Sequence, residues 1–267
     1  MEKPKKSSLF KRVATALVLA PLTIALIYAG SPWINVLALV FGAMLSWEWA
    51  HMVPNRNAPF YATAYTTSLS AAVLLNCPAA VAAVVAGASL LVWFKARGEE
   101  RRNLLTLGVP YISVGIGSLI WLFGTVGFVT TLWFLIMVWC VDIGGYVVGC
   151  NLKGPKLAPK ISPNKTWSGL IGGVVFSVAA SVVFSHLFSL HANALFYAVF
   201  GGVIAVIAQI GDLVESYIKR SIGIKDSSNL IPGHGGVFDR VDVDGLIFTA
   251  PLVALWFKFG LMLFEVR

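Results

Sequence analysis

The chain has 267 residues, of which 58% are apolar and only 12% are charged. This composition excludes a soluble globular domain and favours a helical membrane protein. The formal net charge is +8. Positive cytoplasmic loops, together with attraction to anionic lipid and phosphate ligands, account for that charge, so we expect no nucleic-acid partner.

Apolar stretches of the length needed to cross a bilayer run through the whole chain. A hydrocarbon core of about 30 Å needs roughly 20 residues as helix, because backbone groups in lipid must be paired within the helix. Nine stretches qualify: residues 13–30, 33–53, 60–76, 78–94, 107–125, 128–149, 167–187, 193–215 and 246–265. The sequence therefore predicts an all-α fold, a polytopic integral membrane protein with about nine transmembrane helices and cytosolic catalytic loops.

The positions of Lys and Arg predict the orientation. All of the 20 Lys and Arg residues except Lys258 and Arg267 fall on one side of the predicted spans. Because cytoplasmic loops retain positive residues, this side is predicted to be cytoplasmic, together with the amino terminus and the active site. The expected location is a bacterial plasma (inner) membrane. We also expect one membrane domain over 1–267, with an amino-terminal helical part, 1–125, and a catalytic part, 126–267, that carries loops 151–166 and 216–245.

Acidic residues within or at the ends of apolar spans are expensive and therefore mark candidate functional sites. Four precede the last span: Glu48, Asp142, Asp212 and Glu215. Trp47 and Trp49 flank Glu48, a pattern that favours an anchor at the membrane interface. Asp142 is followed by glycines that permit a backbone or a phosphate to approach closely.

The eighth span is predicted to continue as one helix beyond the membrane. On it Asp212, Ser216 and Lys219 have i, i+4, i+7 spacing and share a face. A purely structural alternative is that Asp212 pairs with Lys219 or Arg220 at the membrane surface. The depth of Asp212 in an apolar run favours the functional interpretation.

Polar residues are densest in 216–242, SYIKRSIGIKDSSNLIPGHGGVFDRVD. Its turn from Pro232 to Gly236 offers backbone N–H groups that can converge on a phosphate. Carboxylates beside phosphate-binding cations suggest magnesium, which prefers oxygen ligands. A second loop, 151–166, contains three prolines that prevent a continuous helix and four lysines. On its own, that loop would be interpreted as a topology determinant.

Two motifs of this chain resemble those of the phosphatidate cytidylyltransferases. The first comprises Ser216, Lys219, Arg220, Lys225, Asp226, Pro232, His234, Gly235, Gly236, Asp239, Arg240 and Asp242. The second comprises Asp142, Tyr146, Gly149, Leu157, Ala158, Pro159, Lys160, Ser162, Pro163, Lys165, Thr166, Trp167 and Gly169. The chain departs from the family at Gly145, Cys150 and Ser168, where Ala, Arg and Glu are usual.

The resemblance implies transfer of a cytidylyl group from CTP to phosphatidate, which gives CDP-diacylglycerol and pyrophosphate, with Mg²⁺ and a second cation as cofactors. Asp212 and Asp239 are the implied metal ligands. We assign catalytic roles on the phosphates to Lys219, Arg220, Lys225 and Arg240, with His234 orienting or protonating a phosphate oxygen. Predicted substrate-binding residues are Asp142, Ser162, Lys165, Thr166, Ser216, Gly233, Gly235 and Gly236. Membrane lipids and, by resemblance, a second copy of the chain are the other expected partners.

Three alternatives remain open at this point. Intramembrane acids also build transporters and channels, although we find no repeat-related pair of broken helices. A CDP-alcohol phosphotransferase is suggested by Asp239, Asp242, Asp244 and Gly245, but residues 246–265 contain no further aspartate. A cytidylyltransferase that acts on another lipid phosphate is the third alternative.

Overall fold

The computed structural model describes residues 20–75, 77–188, 194–228, 236–238 and 243–264. These residues are mostly helical, with one short hairpin and short connecting segments between the helices. The predicted all-α fold is confirmed. The helices are α1 Ala20–Ala29, α2 Trp33–Met52, α3 Ala58–Leu74, α4 Pro78–Lys95, α5 Arg102–Leu152, α6 Trp167–Leu187, α7 Ala194–Ser221 and α8 Val243–Phe264. The strands are β1 Lys156–Ala158 and β2 Ser162–Thr166.

Helix α5 is too long for a single membrane crossing. Its 51 residues correspond to about 76 Å at 1.5 Å per residue, against a hydrocarbon core of about 30 Å. Gly127 interrupts it with φ 74° and ψ −172°, a conformation that glycine adopts without steric cost. The break lies between the predicted spans 107–125 and 128–149. Among the described residues, five helices are long and apolar enough to cross a membrane, and the count of nine crossings stays a prediction.

The described residues pack as two compact units. The first comprises Met1–Val109 and Asp226–Arg240, and the second comprises Pro110–Lys225 and Val241–Arg267. The described residues 226–228 and 236–238 therefore pack with the amino-terminal helices, although they follow α7 in the sequence. The predicted partition at residue 126 concerns function and stays a prediction.

Buried aromatic side chains hold the first unit together. Trp49 on α2 is fully buried and donates from Nε1 to the Leu104 carbonyl at 3.0 Å. Tyr65 on α3 is equally buried and donates from its hydroxyl to the Leu105 carbonyl at 2.7 Å. Each ring buries its apolar surface while its polar atom is satisfied, so these bonds fix the first turn of α5 against α2 and α3.

Small polar side chains hold the second unit together between its helices. Ser177 on α6 donates to the Gly201 carbonyl of α7 at 2.9 Å, and Ser181 donates to the Tyr197 carbonyl at 2.7 Å. The Trp133 indole of α5 donates to Ser181 at 3.0 Å. Serine and glycine allow close approach of helices in lipid, where hydrophobic burial drives association weakly. The glycines of α6 and α7 are therefore used in contacts within the chain.

Candidate active site

The two predicted motifs are described to different extents. Described residues are Asp142, Ser162, Lys165, Thr166, Asp212, Ser216, Lys219, Arg220, Lys225 and Gly236. Gly233, His234, Gly235, Asp239 and Arg240 lie outside the described residues.

Helix α7 carries the first three residues of the first motif, Ser216, Lys219 and Arg220, and ends at Ser221. Gly223 has φ 79°, and the N–H of Ile224 donates to the Lys219 carbonyl at 3.0 Å, while that of Gly223 donates to Arg220 at 3.1 Å. This pair of bonds is the Schellman arrangement, in which a left-handed glycine ends a helix. The prediction of one helix that continues past residue 215 is confirmed.

The loop 151–166 is a hairpin rather than an irregular segment. Strands β1 and β2 pair antiparallel, with Lys156 opposite Thr166 and Ala158 opposite Ser162. Arg220 of α7 reaches the hairpin turn, where its Nε donates to the Ile161 carbonyl at 3.4 Å. The second motif thus lies against the end of α7.

The central contact of this region is an ion pair between the hairpin and α7. Lys165 Nζ donates to Asp212 Oδ2. The lysine side chain is 19% exposed and the aspartate side chain 33% exposed, so solutes can reach the carboxylate. Asp142 of α5 interacts electrostatically with both. The structure therefore brings together three residues that the sequence singled out on three different elements, two carboxylates and one ammonium.

A second ion pair on α7 is more buried. Lys219 Nζ contacts Glu215 Oε1 at 2.6 Å, and the two side chains are only 11% and 7% exposed. Lys219 therefore pairs with Glu215, one turn before it, while Asp212 pairs with Lys165. Arg220 and Lys225 are exposed. Of the described cations of the first motif, these two are the most accessible to a phosphate.

Thr166 has a structural function at the junction of β2 and α6. It is buried, and its Oγ1 accepts a hydrogen bond from the Gly169 N–H at 3.1 Å, which caps α6. An N-cap oxygen satisfies one of the unpaired donors of the first helical turn. Ser168, one of the family departures, contacts Thr166 Oγ1 at 3.0 Å and donates to the Lys153 carbonyl. The predicted substrate roles of Thr166, Ser162 and Ser216 stay predictions.

Glu48 of the first unit has a different environment from the one that the sequence indicated. Its side chain is fully buried, and Oε1 accepts from Ser228 Oγ at 2.6 Å and from the Val237 N–H at 2.7 Å. Oε2 accepts from the Phe238 N–H at 3.0 Å and from Ser227 Oγ at 3.2 Å. The interpretation of Glu48 as an interfacial anchor is wrong, because its partners belong to the segment after α7.

Sequence reasoning assigned no site function to Glu48 or Glu215, although both carried a usable signal. Each is an acid within an apolar run, which is the rule that singled out Asp142 and Asp212. The tryptophans beside Glu48 suggested the membrane interface instead. Nothing local identifies its true partners, which lie 179 to 190 positions away along the chain.

The described groups suit a polyanionic ligand. Lys165, Arg220 and Lys225 supply positive charge, and guanidinium and ammonium groups bind phosphates. Asp142 and Asp212 supply the carboxylate oxygens that Mg²⁺ prefers. Among the described residues, no group of three or more His, Cys, Asp or Glu side chains could hold a metal ion. The second implied metal ligand, Asp239, lies outside that set.

Comparison with known proteins identifies the family. The cytidylyltransferase family model matches residues 10–259. A phosphatidate cytidylyltransferase of Brucella suis biovar 1 is 35% identical over 258 residues, which cover 94% of this chain and 93% of the relative. A phosphatidate cytidylyltransferase of Rickettsia bellii is 40% identical over 188 residues, or 67% of this chain and 79% of the relative. The chain belongs to the cytidylyltransferase family.

Proposed function

We infer that this protein is a phosphatidate cytidylyltransferase, a membrane enzyme of phospholipid biosynthesis. It transfers the cytidylyl group of CTP to phosphatidate and releases CDP-diacylglycerol and pyrophosphate. The observation that carries this proposal is the contact between Lys165 of the hairpin and Asp212 of α7. It joins Lys165 of the second motif to α7, the helix that also carries the start of the first motif. Named relatives match the chain over almost its whole length.

The chemistry requires little from an activated side chain. The phosphate monoester of phosphatidate, with a second pKa of about 6, is largely dianionic at neutral pH. One of its oxygens attacks the α-phosphorus of CTP, and the bond from that phosphorus to the bridging oxygen of pyrophosphate breaks. The enzyme must bring two polyanions together and stabilise the leaving group. Arg220 and Lys225 are exposed, which supports our proposal that these two cations bind the phosphates.

We propose that Mg²⁺ binds at Asp212 and at Asp239, with a second cation nearby. Support comes from the donor chemistry, because the Asp212 carboxylate is accessible and a second carboxylate, Asp142, interacts with it. Bound Mg²⁺ would neutralise phosphate charge and hold the pyrophosphate group. Lys165 keeps Asp212 oriented and compensates its charge when the cation is absent.

The proposed location is the cytoplasmic side of a bacterial plasma membrane. The Lys and Arg distribution supports a cytoplasmic amino terminus and cytoplasmic motifs. CTP would then reach the site from water, while phosphatidate and its product stay in the lipid. A homodimer is proposed from the family resemblance alone.

The test uses the purified full chain in detergent with labelled CTP, phosphatidate and Mg²⁺. We expect labelled CDP-diacylglycerol and stoichiometric pyrophosphate, both abolished when phosphatidate or Mg²⁺ is left out. Release of pyrophosphate only with a different lipid phosphate would establish the alternative substrate. A chain that forms no product with any lipid phosphate would refute the enzyme assignment and favour transport.

A further inference from the structure

The turn that joins α4 to α5 in the first unit is densely basic. Residues 95–102 contain two acids and four cations, and the cations are Lys95, Arg97, Arg101 and Arg102. Gly98 has φ 92°, a left-handed conformation that glycine adopts without steric cost and that lets the chain reverse here. One of the two acids, Glu100, lies 3.7 Å from Arg101. Positive charge is therefore in excess within a single short turn.

Two of these arginines stack on aromatic rings of α4. Arg102 Cζ lies 3.4 Å from the centroid of the Trp93 ring, and its Nε donates to the Trp93 carbonyl at 2.9 Å. Arg97 Cζ lies 4.5 Å from the centroid of the Phe94 ring. Among the described residues, neither guanidinium forms an ion pair with a carboxylate. Stacking uses the face of a guanidinium and leaves N–H groups in its plane that can bind a phosphate.

The loop between α2 and α3 lies against the same turn. The backbone N–H of Arg56 donates to Glu99 Oε1 at 3.1 Å. Lys95 Nζ lies 5.6 Å from the centroid of the Phe60 ring, in the first turn of α3. The exposed Arg56 thus adds a fifth cation. We call this surface the basic patch, and its cations are Arg56, Lys95, Arg97, Arg101 and Arg102.

Helix α4 exposes apolar surface beside the basic patch. Of its 18 residues only Val92 is buried, and the side chains of Leu90, Leu91 and Phe94 are each more than half exposed. The helix is long and apolar enough to cross a membrane. Aromatic rings at the end of such a helix are typical of the headgroup level, where long cationic side chains extend to the lipid phosphates.

We propose that the basic patch binds an anionic phospholipid of the surrounding bilayer. The lipid phosphate contacts the guanidinium groups, and an acyl chain lies along α4. Charge complementarity supports this ligand, because five cations face only two acids in the patch and basic surfaces at a membrane attract anionic lipid. The exposed face of α4 favours a lipid over a free phosphate. This site goes beyond the proposed function, since no residue of the patch belongs to either family motif.

The test titrates the purified full chain, in a neutral detergent, with phosphatidylglycerol. Native mass spectrometry counts the lipid molecules bound to each chain. Phosphatidylglycerol is anionic but has no phosphate monoester, so it cannot replace phosphatidate as the acceptor. We expect it to bind more tightly than phosphatidylcholine, whose choline group cancels the phosphate charge.

The decisive variant is Lys95→Gln combined with Arg97→Gln. Both side chains are exposed and make no described hydrogen bond, so the variant should fold. The apparent Kd for phosphatidylglycerol should rise about 30-fold, because each cation near an anionic lipid contributes a factor of about five. The matched control is Lys156→Gln combined with Lys160→Gln, which removes the same charge from exposed residues of the second unit and should leave the Kd unchanged.

Four results would overturn the lipid site. The first is the same Kd for phosphatidylglycerol in the wild type and in the Lys95 and Arg97 variant. The second is an equal rise in the control, which would show that only net charge matters. The third is equal binding of the two lipids by the wild type. The fourth is a wild-type dimer that the variant converts to a monomer, which would assign the patch to a contact between copies of the chain.

Discussion

The two carboxylates Glu48 and Asp212 are both acids in apolar helices, yet their surroundings differ. Glu48 is fully buried and accepts four hydrogen bonds from neutral donors. Asp212 is one-third exposed and pairs with a single described cation, Lys165. A buried carboxylate whose oxygens are satisfied would lose those hydrogen bonds if it bound another group. An accessible carboxylate that is paired with one ammonium can still bind a metal ion.

Burial and partners therefore distinguish a structural carboxylate, such as Glu48, from one that is accessible to a ligand, such as Asp212. The sequence alone shows both as acids in apolar runs. The pair of Glu215 with Lys219 resembles Glu48 in its burial and Asp212 in its chemistry. Both side chains lie on one helix and are nearly inaccessible, so we interpret this pair as structural, like Glu48. Three substitutions sharpen this distinction or break it.

Asp212→Asn should have the largest effect, because it removes the charge of the accessible carboxylate. We expect kcat/KM to fall about 100-fold to 1,000-fold, as when an electrostatic stabiliser of the transition state is lost. The Mg²⁺ concentration for half-maximal activity should also rise. Activity and its dependence on Mg²⁺ concentration are measured in detergent. Glu100→Gln is the control, because it also removes one carboxylate charge, from a side chain that is 81% exposed. Near wild-type turnover with unchanged Mg²⁺ dependence would contradict the metal role of Asp212 and indicate a structural role instead.

Glu215→Gln should lower stability by about 3 kcal/mol, because removing one partner leaves a buried charge without its compensation. Thermal unfolding in detergent measures this loss. The double variant Glu215→Gln with Lys219→Met should recover much of it, because no buried ammonium remains. If the double variant folds but its KM for CTP rises tenfold or more, Lys219 binds phosphate as the sequence predicted. Retained KM would confirm a structural pair.

Thr166→Ala should have the smallest effect, about 1 kcal/mol of stability, because it removes the N-cap of α6. Thr166→Ser keeps the capping oxygen and is the matched control. Thermal unfolding compares the two, and kcat/KM of both should stay within about threefold of wild type. A loss of activity in Thr166→Ala much larger than the loss of stability would instead support the predicted substrate contact.

Much of the fold was predictable from the sequence. The predicted apolar spans 33–53, 78–94 and 167–187 agree with α2, α4 and α6 to within one residue at every boundary. The reason is that a membrane helix satisfies its backbone locally, so length and hydropathy suffice. Helix α5 was predicted as two spans, 107–125 and 128–149, and Gly127, which lies between them, has non-helical backbone angles.

The candidate site was predictable in composition but less so in pairing. The sequence identified Lys165 and Asp212 independently, and the structure joins them across 47 positions. The sequence predicted that Lys219 binds phosphate but did not predict that Glu215 is its partner. The hairpin was missed because its strands are short and rich in lysine and proline, so that neither apolar alternation nor β-propensity marks them.

The sequence by itself determined that this is a helical membrane protein with its polar chemistry in 142–169 and 212–242, because composition and spacing are local properties. It also determined the family, through motifs with fixed spacing. Only the tertiary structure decided which carboxylate is buried and structural, Glu48, and which is accessible, Asp212. That distinction depends on burial and on distant partners. Phe238, for example, donates to Glu48 from 190 positions away along the chain. Such contacts depend on how the whole chain folds, so no local sequence pattern predicts them.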